Sequence, residues 1–296
     1  MKILIWSVAE ACNLRCKGCN AWQKRNFFDI SNLNSFVNEL KKNRVKIVSV
    51  TGGEPTLHPN IVEIVKKLKE NGIWVHIATN GSLPQRIKKI LPYIDAATVS
   101  LDSDKREEHN EYRGVDIYDR VIESIKLLRG KVKVLTANML VTGFNYNRVG
   151  EIAKFFNESL RVPLTMCYPE FDGYVYEPLD VTKDEILKAF KYAYENYNGH
   201  IFGNLRTYYG EVVRYLKGEK TYPCRAGKVV FYADYEGNVK PCFMKDVILN
   251  DDGKIWKDYE NRCNDCMIEC FREPSIPKNF EKAMLIYKIW RFTHQR

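Results

Sequence analysis

The 296-residue chain lacks any apolar run long enough to cross a bilayer: its longest, such as "KILIWSVA" near the start, fall well short of the roughly 20 residues a spanning helix needs. It also lacks a basic head with an apolar stretch and a small-residue cleavage site, so no export signal is read and a cytoplasmic protein is expected. Low-complexity segments are missing, and with 45% hydrophobic residues nothing suggests disorder. The chain can bury one large core, alone or with a small companion. An even cysteine count is missing too. Nine cysteines sit in tight clusters, which without an export signal favours metal ligation over a disulfide framework. The net charge of +9 is spread over helix-like segments such as "VKKLKENG" and "RIKKILP". A solvated helix face explains those lysines, and a nucleic-acid partner is not expected.

What is present is one theme repeated. β-rich apolar runs, "KILIWSV" (2–8), "KIVSVTG" (46–52), "WVHIATN" (74–80), "AATVSLD" (96–102), "VLTANMLVT" (134–142) and "VPLTMCY" (162–168), alternate with amphipathic stretches. Leu33, Phe36, Val37 and Leu40 follow helical spacing, as do Ile61, Ile64, Val65 and Leu68, and Tyr118, Val121, Ile122 and Ile125. Strand then helix, six times, predicts a parallel sheet with helices outside, an α/β fold. A doubly wound sheet and a barrel share this alternation. Both place reactive groups at the C-terminal strand ends. Thr51, Gly52, Gly53 and Glu54, then Asn80 and Gly81, Ser100 and Asp102, and Cys167 all fall there, and so converge on one mouth.

After about residue 198 the character changes. "YYGEVVRYLKG" predicts a connecting helix, and "KVVFYADYEGNVKPC" predicts a hairpin turning at Glu236 and Gly237. A loop with "NDDGK" and then "CNDCMIEC" follow, and an amphipathic helix is expected over roughly 279–293. Five cysteines within 47 residues mark a second metal-binding unit.

Cys12, Cys16 and Cys19 occupy eight positions, with no fourth cysteine nearby. Structural zinc takes four ligands, usually as two cysteine pairs. Three thiolates from one loop suit a [4Fe–4S] cube with one iron left open.

At this point the chain resembles the radical S-adenosylmethionine (SAM) enzymes. Beside "CNLRCKGC" it carries "GGEP" at 52–55, "ATNG" at 78–81 and "SLDS" at 100–103 with "HNEYRG" following, in that family's order. The resemblance covers most of residues 1–200. It implies a partial (β/α)6 TIM-like barrel, a [4Fe–4S] cluster on Cys12, Cys16 and Cys19, and SAM on its open iron. Reductive cleavage of SAM would then give a 5′-deoxyadenosyl radical that takes a hydrogen atom from the substrate. By the same resemblance, Gly52 and Gly53 would let the backbone approach the methionyl amino group, and Glu54 would help hold it. Asn80, Ser100 and Asp102 would bond the ribose or methionyl groups, and Arg113 the carboxylate. One position departs from the pattern: Gly18 stands where an aromatic residue is common, with Trp22 nearby. The fifth-strand signature is loose, with "MLVTGFN" as its nearest match.

The C-terminal cysteines resemble the twitch, or SPASM, module of such enzymes: Cys224, then Gly237, four residues and Cys242, then C-x2-C-x3-C at Cys263, Cys266 and Cys270. Five thiols cannot ligate two four-iron cubes, so one auxiliary [4Fe–4S] cluster is expected. The favoured ligands are Cys224, Cys242, Cys263 and Cys266; the competing set uses Cys270 in place of Cys263. The expected division is a barrel core over 1–200, a connecting helix over 201–220 and the hairpin-plus-helix module over 221–296. The chain opens on the first barrel strand, so no leader-binding domain is expected ahead of it. The expected activity is a radical SAM oxidoreductase or maturase acting on a peptide or polar small molecule, served by an electron donor such as a flavodoxin or ferredoxin. Cys167 is a candidate hydrogen-atom donor. The rivals are a non-catalytic Fe–S electron carrier, which leaves "GGEP" and "SLD" unexplained, and a zinc-dependent nucleic-acid binder.

Overall fold

A computed structural model describes residues 2–169, 179–250, 255–257, 259–261 and 263–278. The helix expected over 279–293 and most of the "NDDGK" loop lie outside them. In chain order the elements are β1 (Lys2–Ala9), α1 (Leu33–Lys42), β2 (Val45–Gly52), α2 (Ile61–Glu70), β3 (Trp74–Thr79), α3 (Pro84–Ile90) and β4 (Ala96–Ser100). Then come α4 (Arg106–Arg113), α5 (Tyr118–Leu128), β5 (Val134–Leu140), α6 (Val149–Phe155), β6 (Leu164–Cys167), α7 (Lys183–Glu195), α8 (Arg206–Leu216), β7 (Val230–Ala233), β8 (Val239–Lys240) and α9 (Glu269–Ser275).

All six expected strands form, and they pair in parallel in the order of the sequence, β1 to β6. A doubly wound sheet would reverse direction at a switch point. This one does not, so the architecture is that of a partial barrel, open at its edges. Alternate strand residues divide the two faces. Leu4, Trp6, Val48, Val50, Val75, Ile77, Val99 and Met139 join the helices in the main core. Helices α1 and α2 bury the four positions expected of each. In α5 the stripe is turned: Val121, Ser124, Ile125 and Leu128 are buried, while Tyr118 and Ile122 are half-buried. The reason is polar, since Ser124 Oγ reaches in to donate to the Gly81 carbonyl at 2.7 Å.

The C-terminal hairpin forms, with Tyr232 opposite Lys240 and Ala233 opposite Val239. It also extends the barrel sheet, because β7 pairs in parallel with β1. Asp234 shapes the turn by accepting from the Glu236 and Asn238 amides. On the inner face Ile3, Ile5, Val230 and Tyr232 pack against Ile268 and Phe271. This small apolar cluster seats the cysteine-rich segment over the inside of the barrel, next to β1. Among the described residues no helix is long and apolar enough to cross a membrane.

Candidate functional site

The cysteine loop leaves the end of β1 and is fixed from outside itself. The Gly53 amide donates to the Ala9 carbonyl at 2.7 Å and the Glu54 amide to Ala11 at 2.8 Å, so the segment after β2 runs against the start of the loop. A Cβ on Gly52 would lie 2.0 Å from the Ala9 oxygen, and one on Gly53 would lie 2.5 Å from the Ala11 oxygen. Only glycine permits that approach. A second clamp comes from the end of α4, where the Arg15 and Lys17 amides donate to the carbonyls of Arg113 and Tyr112. Gly114 caps α4 at φ 69°, and a Cβ there would stand 2.5 Å from the Arg15 oxygen. The loop supplies one bond of its own between thiol-bearing residues, Cys19 N–H to Cys16 carbonyl at 3.1 Å, in a turn that sets Gly18 at φ 75°. That turn accounts for glycine where an aromatic residue was the pattern. Trp22 is held by its Nε1, which donates to the Cys19 carbonyl.

Donors then reach the sulfurs. The Leu14 amide points at Cys12 Sγ at 3.5 Å, and Asn80 Nδ2 stands 3.8 Å from the same atom. Arg113 Nη1 lies 3.8 Å from Cys16 Sγ. Burial pushes the Cys12 thiol up to about 11, with the Leu14 amide pulling it down in part. Burial likewise raises Cys16 against the opposing Arg113 charge. Ligation requires thiolate, so a bound cation must release these protons, and the three donors are placed to favour the thiolate form. Cys19 is exposed at the loop's far end.

Glu54 is wholly buried. Its carboxylate accepts from the Thr56 amide and hydroxyl, from Thr79 Oγ1 at 2.8 Å and from the Asn80 amide at 2.7 Å. Burial raises its pKa while these donors lower it, with a net rise. The side chain thereby ties the end of β2 to the end of β3. Asn80 passes the tie onward, since its Nδ2 donates to Asn13 Oδ1 at 3.0 Å and its Oδ1 accepts from Ser82.

Asp102 is also fully buried and accepts from Arg113 Nε at 2.6 Å and from the Leu140 amide at 3.1 Å. Burial alone would raise this carboxyl, but Arg113 and His109 outweigh it and hold it at about 2. Arg113 thus bridges Asp102 and the Cys16 sulfur. Ser100 is half-buried at the end of β4, opposite Asn138. Cys167 ends β6 opposite Leu140.

Sequence reading gave no role to Asn13, Ser82, Gly114, His109 and Asn145, although the segments it quoted contain all of these but Ser82. Asn145, the last residue of "MLVTGFN", donates to the Asp102 and Leu140 carbonyls. A glycine after an arginine within "EYRG" was the available signal for Gly114, and its reason is visible only once α4 meets the loop.

Two cavities adjoin the cysteines. One of about 260 Å3 is lined by Ile5, Cys19, Gly52 and Gly53 on the barrel side and by Tyr232, Phe243 and Cys270 on the hairpin side. The other, about 200 Å3, is lined by Cys224, Cys242, Cys263 and Cys266, with Lys245 and Phe271. Among the described residues no three His, Cys, Asp or Glu side chains converge on a single-ion site.

Comparison with known proteins fits this geometry. The mycofactocin maturase of Mycobacterium tuberculosis strain H37Rv is 25% identical over 92% of this chain and 72% of its own length. A probable GTP 3′,8-cyclase of Pyrococcus horikoshii is 26% identical over 62% of this chain and 63% of its own, so the chain spans a little under two thirds of that relative. Among solved structures, anSMEcpe with bound AdoMet and a Cp18Cys peptide superposes with a TM-score of 0.65 at 18% identity, covering 99% of both chains. Streptococcus suis SuiB bound to SAM gives 0.64 at 20% identity over 81% of this chain and 60% of SuiB. A family model described as the radical SAM superfamily matches residues 6–156, which take in the whole cysteine loop and every clamp on it. The chain belongs to the radical SAM superfamily.

Proposed function

We propose that the protein is a radical SAM oxidoreductase or maturase of the twitch kind, acting on a peptide or polar small molecule, with one auxiliary [4Fe–4S] cluster on Cys224, Cys242, Cys263 and Cys266. The observation that carries this is the cavity these four thiols share, which Cys270 does not line. Four thiolates around a space suit a cube, in which each binds a different iron, better than one tetrahedral ion.

In this reading Cys12, Cys16 and Cys19 hold the first cluster, which with SAM supplies the 5′-deoxyadenosyl radical. Gly52 and Gly53 present backbone to the methionyl amino group, and Glu54 acts by holding the strand ends that carry them. Asn80, Ser100, Asp102 and Arg113 stand around the same mouth for the ribose and carboxylate. Because Cys19, Gly52 and Gly53 line the 260 Å3 cavity, SAM takes its barrel side, and the substrate enters beside it on the side of Tyr232 and Phe243. The maturase relative spans more of this chain than the cyclases do, which favours a maturase-like role over GTP cyclisation. The barrel core over 1–200, connector over 201–220 and module over 221–296 follow, with a flavodoxin or ferredoxin as electron donor. The test is anaerobic reconstitution: about eight irons per chain and conversion of SAM to methionine and 5′-deoxyadenosine are expected. About four irons, or a colourless zinc protein, overturns the proposal.

A further inference from the structure

The strand ends around the cysteine loop do not treat its thiols alike. Cys12 Sγ meets two uncharged donors, the Leu14 amide and Asn80 Nδ2. Cys16 Sγ meets a full positive charge, with Arg113 Nη1 at 3.8 Å. That guanidinium is fixed from behind, because Asp102 Oδ2 accepts from its Nε at 2.6 Å and the carboxylate is in turn held by the Leu140 amide on Oδ1 at 3.1 Å. The backbone grips the same place. The carbonyls of Arg113 and Tyr112 accept from the amides of Arg15 and Lys17, the two residues that flank Cys16.

Burial decides what this grip does. Arg113 is 13% exposed and Asp102 not at all, so water and salt screen both charges weakly. Reduction adds one negative charge to an iron–sulfur cluster, and hydrogen bonds and charge at its sulfurs set how favourable that is. At Cys16 the Arg113 charge outweighs the opposing charge of Asp102. We propose that Arg113 is a positioning residue that Asp102 aims at Cys16, where its guanidinium raises the reduction potential of the cluster on this loop and so sets how readily an electron enters it. This rests on the radical reading above. The electron comes from the flavodoxin- or ferredoxin-class donor, while Arg113 gives up no proton and changes no bond.

An EPR-monitored redox titration of the anaerobically reconstituted protein tests this, and the variant with Cys12, Cys16 and Cys19 all replaced by Ala identifies the auxiliary signal. Arg113→Gln should lower the reduced-to-oxidised ratio of the loop's cluster about tenfold at a fixed potential, a fall of about 59 mV. Asp102→Asn removes the opposing charge and should shift the same potential upward. The auxiliary cluster should stay where it is in both. General loosening of the fold does not give opposite shifts at one cluster and none at the other. Arg113→Lys keeps the charge without the fork and should fall by less; it carries the test if Arg113→Gln loses iron. Shifts of the same sign in the Arg113 and Asp102 variants, or a potential that Asp102→Asn or both Arg113 variants leave unmoved, overturn the proposal. A wild-type signal that the triple Ala variant leaves whole means no cluster on the loop, and overturns the radical reading itself, a distinct result.

Discussion

Cys12, Cys16 and Cys19 stand in a single loop, whereas Cys224, Cys242, Cys263 and Cys266 come from three segments of the chain. The contiguous site is the one that depends on distant residues. Its loop is clamped by the Gly52–Glu54 backbone, by the end of α4, and by Asn80 and Arg113 at the sulfurs. The dispersed site depends on secondary structure: β7 on β1, the hairpin turn, and the packing of Ile268 and Phe271 on the inner sheet face bring its thiols to one cavity. Closeness in sequence therefore gives ligands without geometry, and the geometry must be imported from other strand ends.

The comparison breaks most visibly if the imported clamps are removed. Gly53→Ala and Gly114→Val each place a side-chain atom against a loop carbonyl. Both should leave about four irons, all in the auxiliary cluster, and no SAM cleavage. Equal loss of both clusters in these variants would show that the two sites are not separately built.

The next effect sharpens the dispersed half. Cys263→Ala should abolish the auxiliary cluster's EPR signal, and Cys270→Ala should preserve it at full strength. The reverse pattern would move the fourth ligand to Cys270.

A smaller effect is expected at the Asp102–Arg113 bridge. Asp102→Asn leaves a guanidinium that is 13% exposed without its carboxylate, and should cost about 3–5 kcal/mol of stability, read in thermal unfolding. Arg113→Lys should cost less. An unchanged unfolding midpoint in both would remove this bridge from the account.

The smallest effect is a pH slope. On the barrel's inner face His76 Nδ1 contacts Ser49 Oγ at 2.7 Å and Nε2 contacts Thr98 Oγ1 at 2.9 Å, and burial lowers its pKa from 6.5 to about 4. The unfolded chain then binds a proton that the folded one refuses, so this contribution to stability declines as pH falls from about 6.5 toward 4. His58 and His109, both also lowered by burial, act in the same direction. His76→Gln should flatten part of the slope; an unaltered slope would assign it to the other two.

The six strands and the α1 and α2 stripes were legible because the side-chain periods of 2 and 3.6 are written directly in the residues. The choice of barrel over doubly wound sheet was not, since strand order is decided by pairing. The crowding of Cys12, Cys16 and Cys19 into one loop was legible from spacing, whereas the clamps that hold the loop were not. Glu54 was legible as an unusual residue at a strand end and Arg113, at the end of α4, only through the family resemblance, but their partners were not: Glu54 meets Thr79 and Asn80, and Arg113 meets Asp102 and Cys16, across turns that spacing does not encode. The ambiguity between Cys263 and Cys270 had the same cause. Both spacers can bring two thiols together, and only the fold puts Cys263 and Cys270 on different cavities.

The most direct test of the account replaces Cys12, Cys16 and Cys19 with Ala together and counts iron, records EPR and assays SAM cleavage on the reconstituted protein. The account predicts about four irons, an auxiliary-cluster signal unchanged from wild type, and no 5′-deoxyadenosine. Continued formation of 5′-deoxyadenosine, or an iron count that stays at about eight, would contradict it.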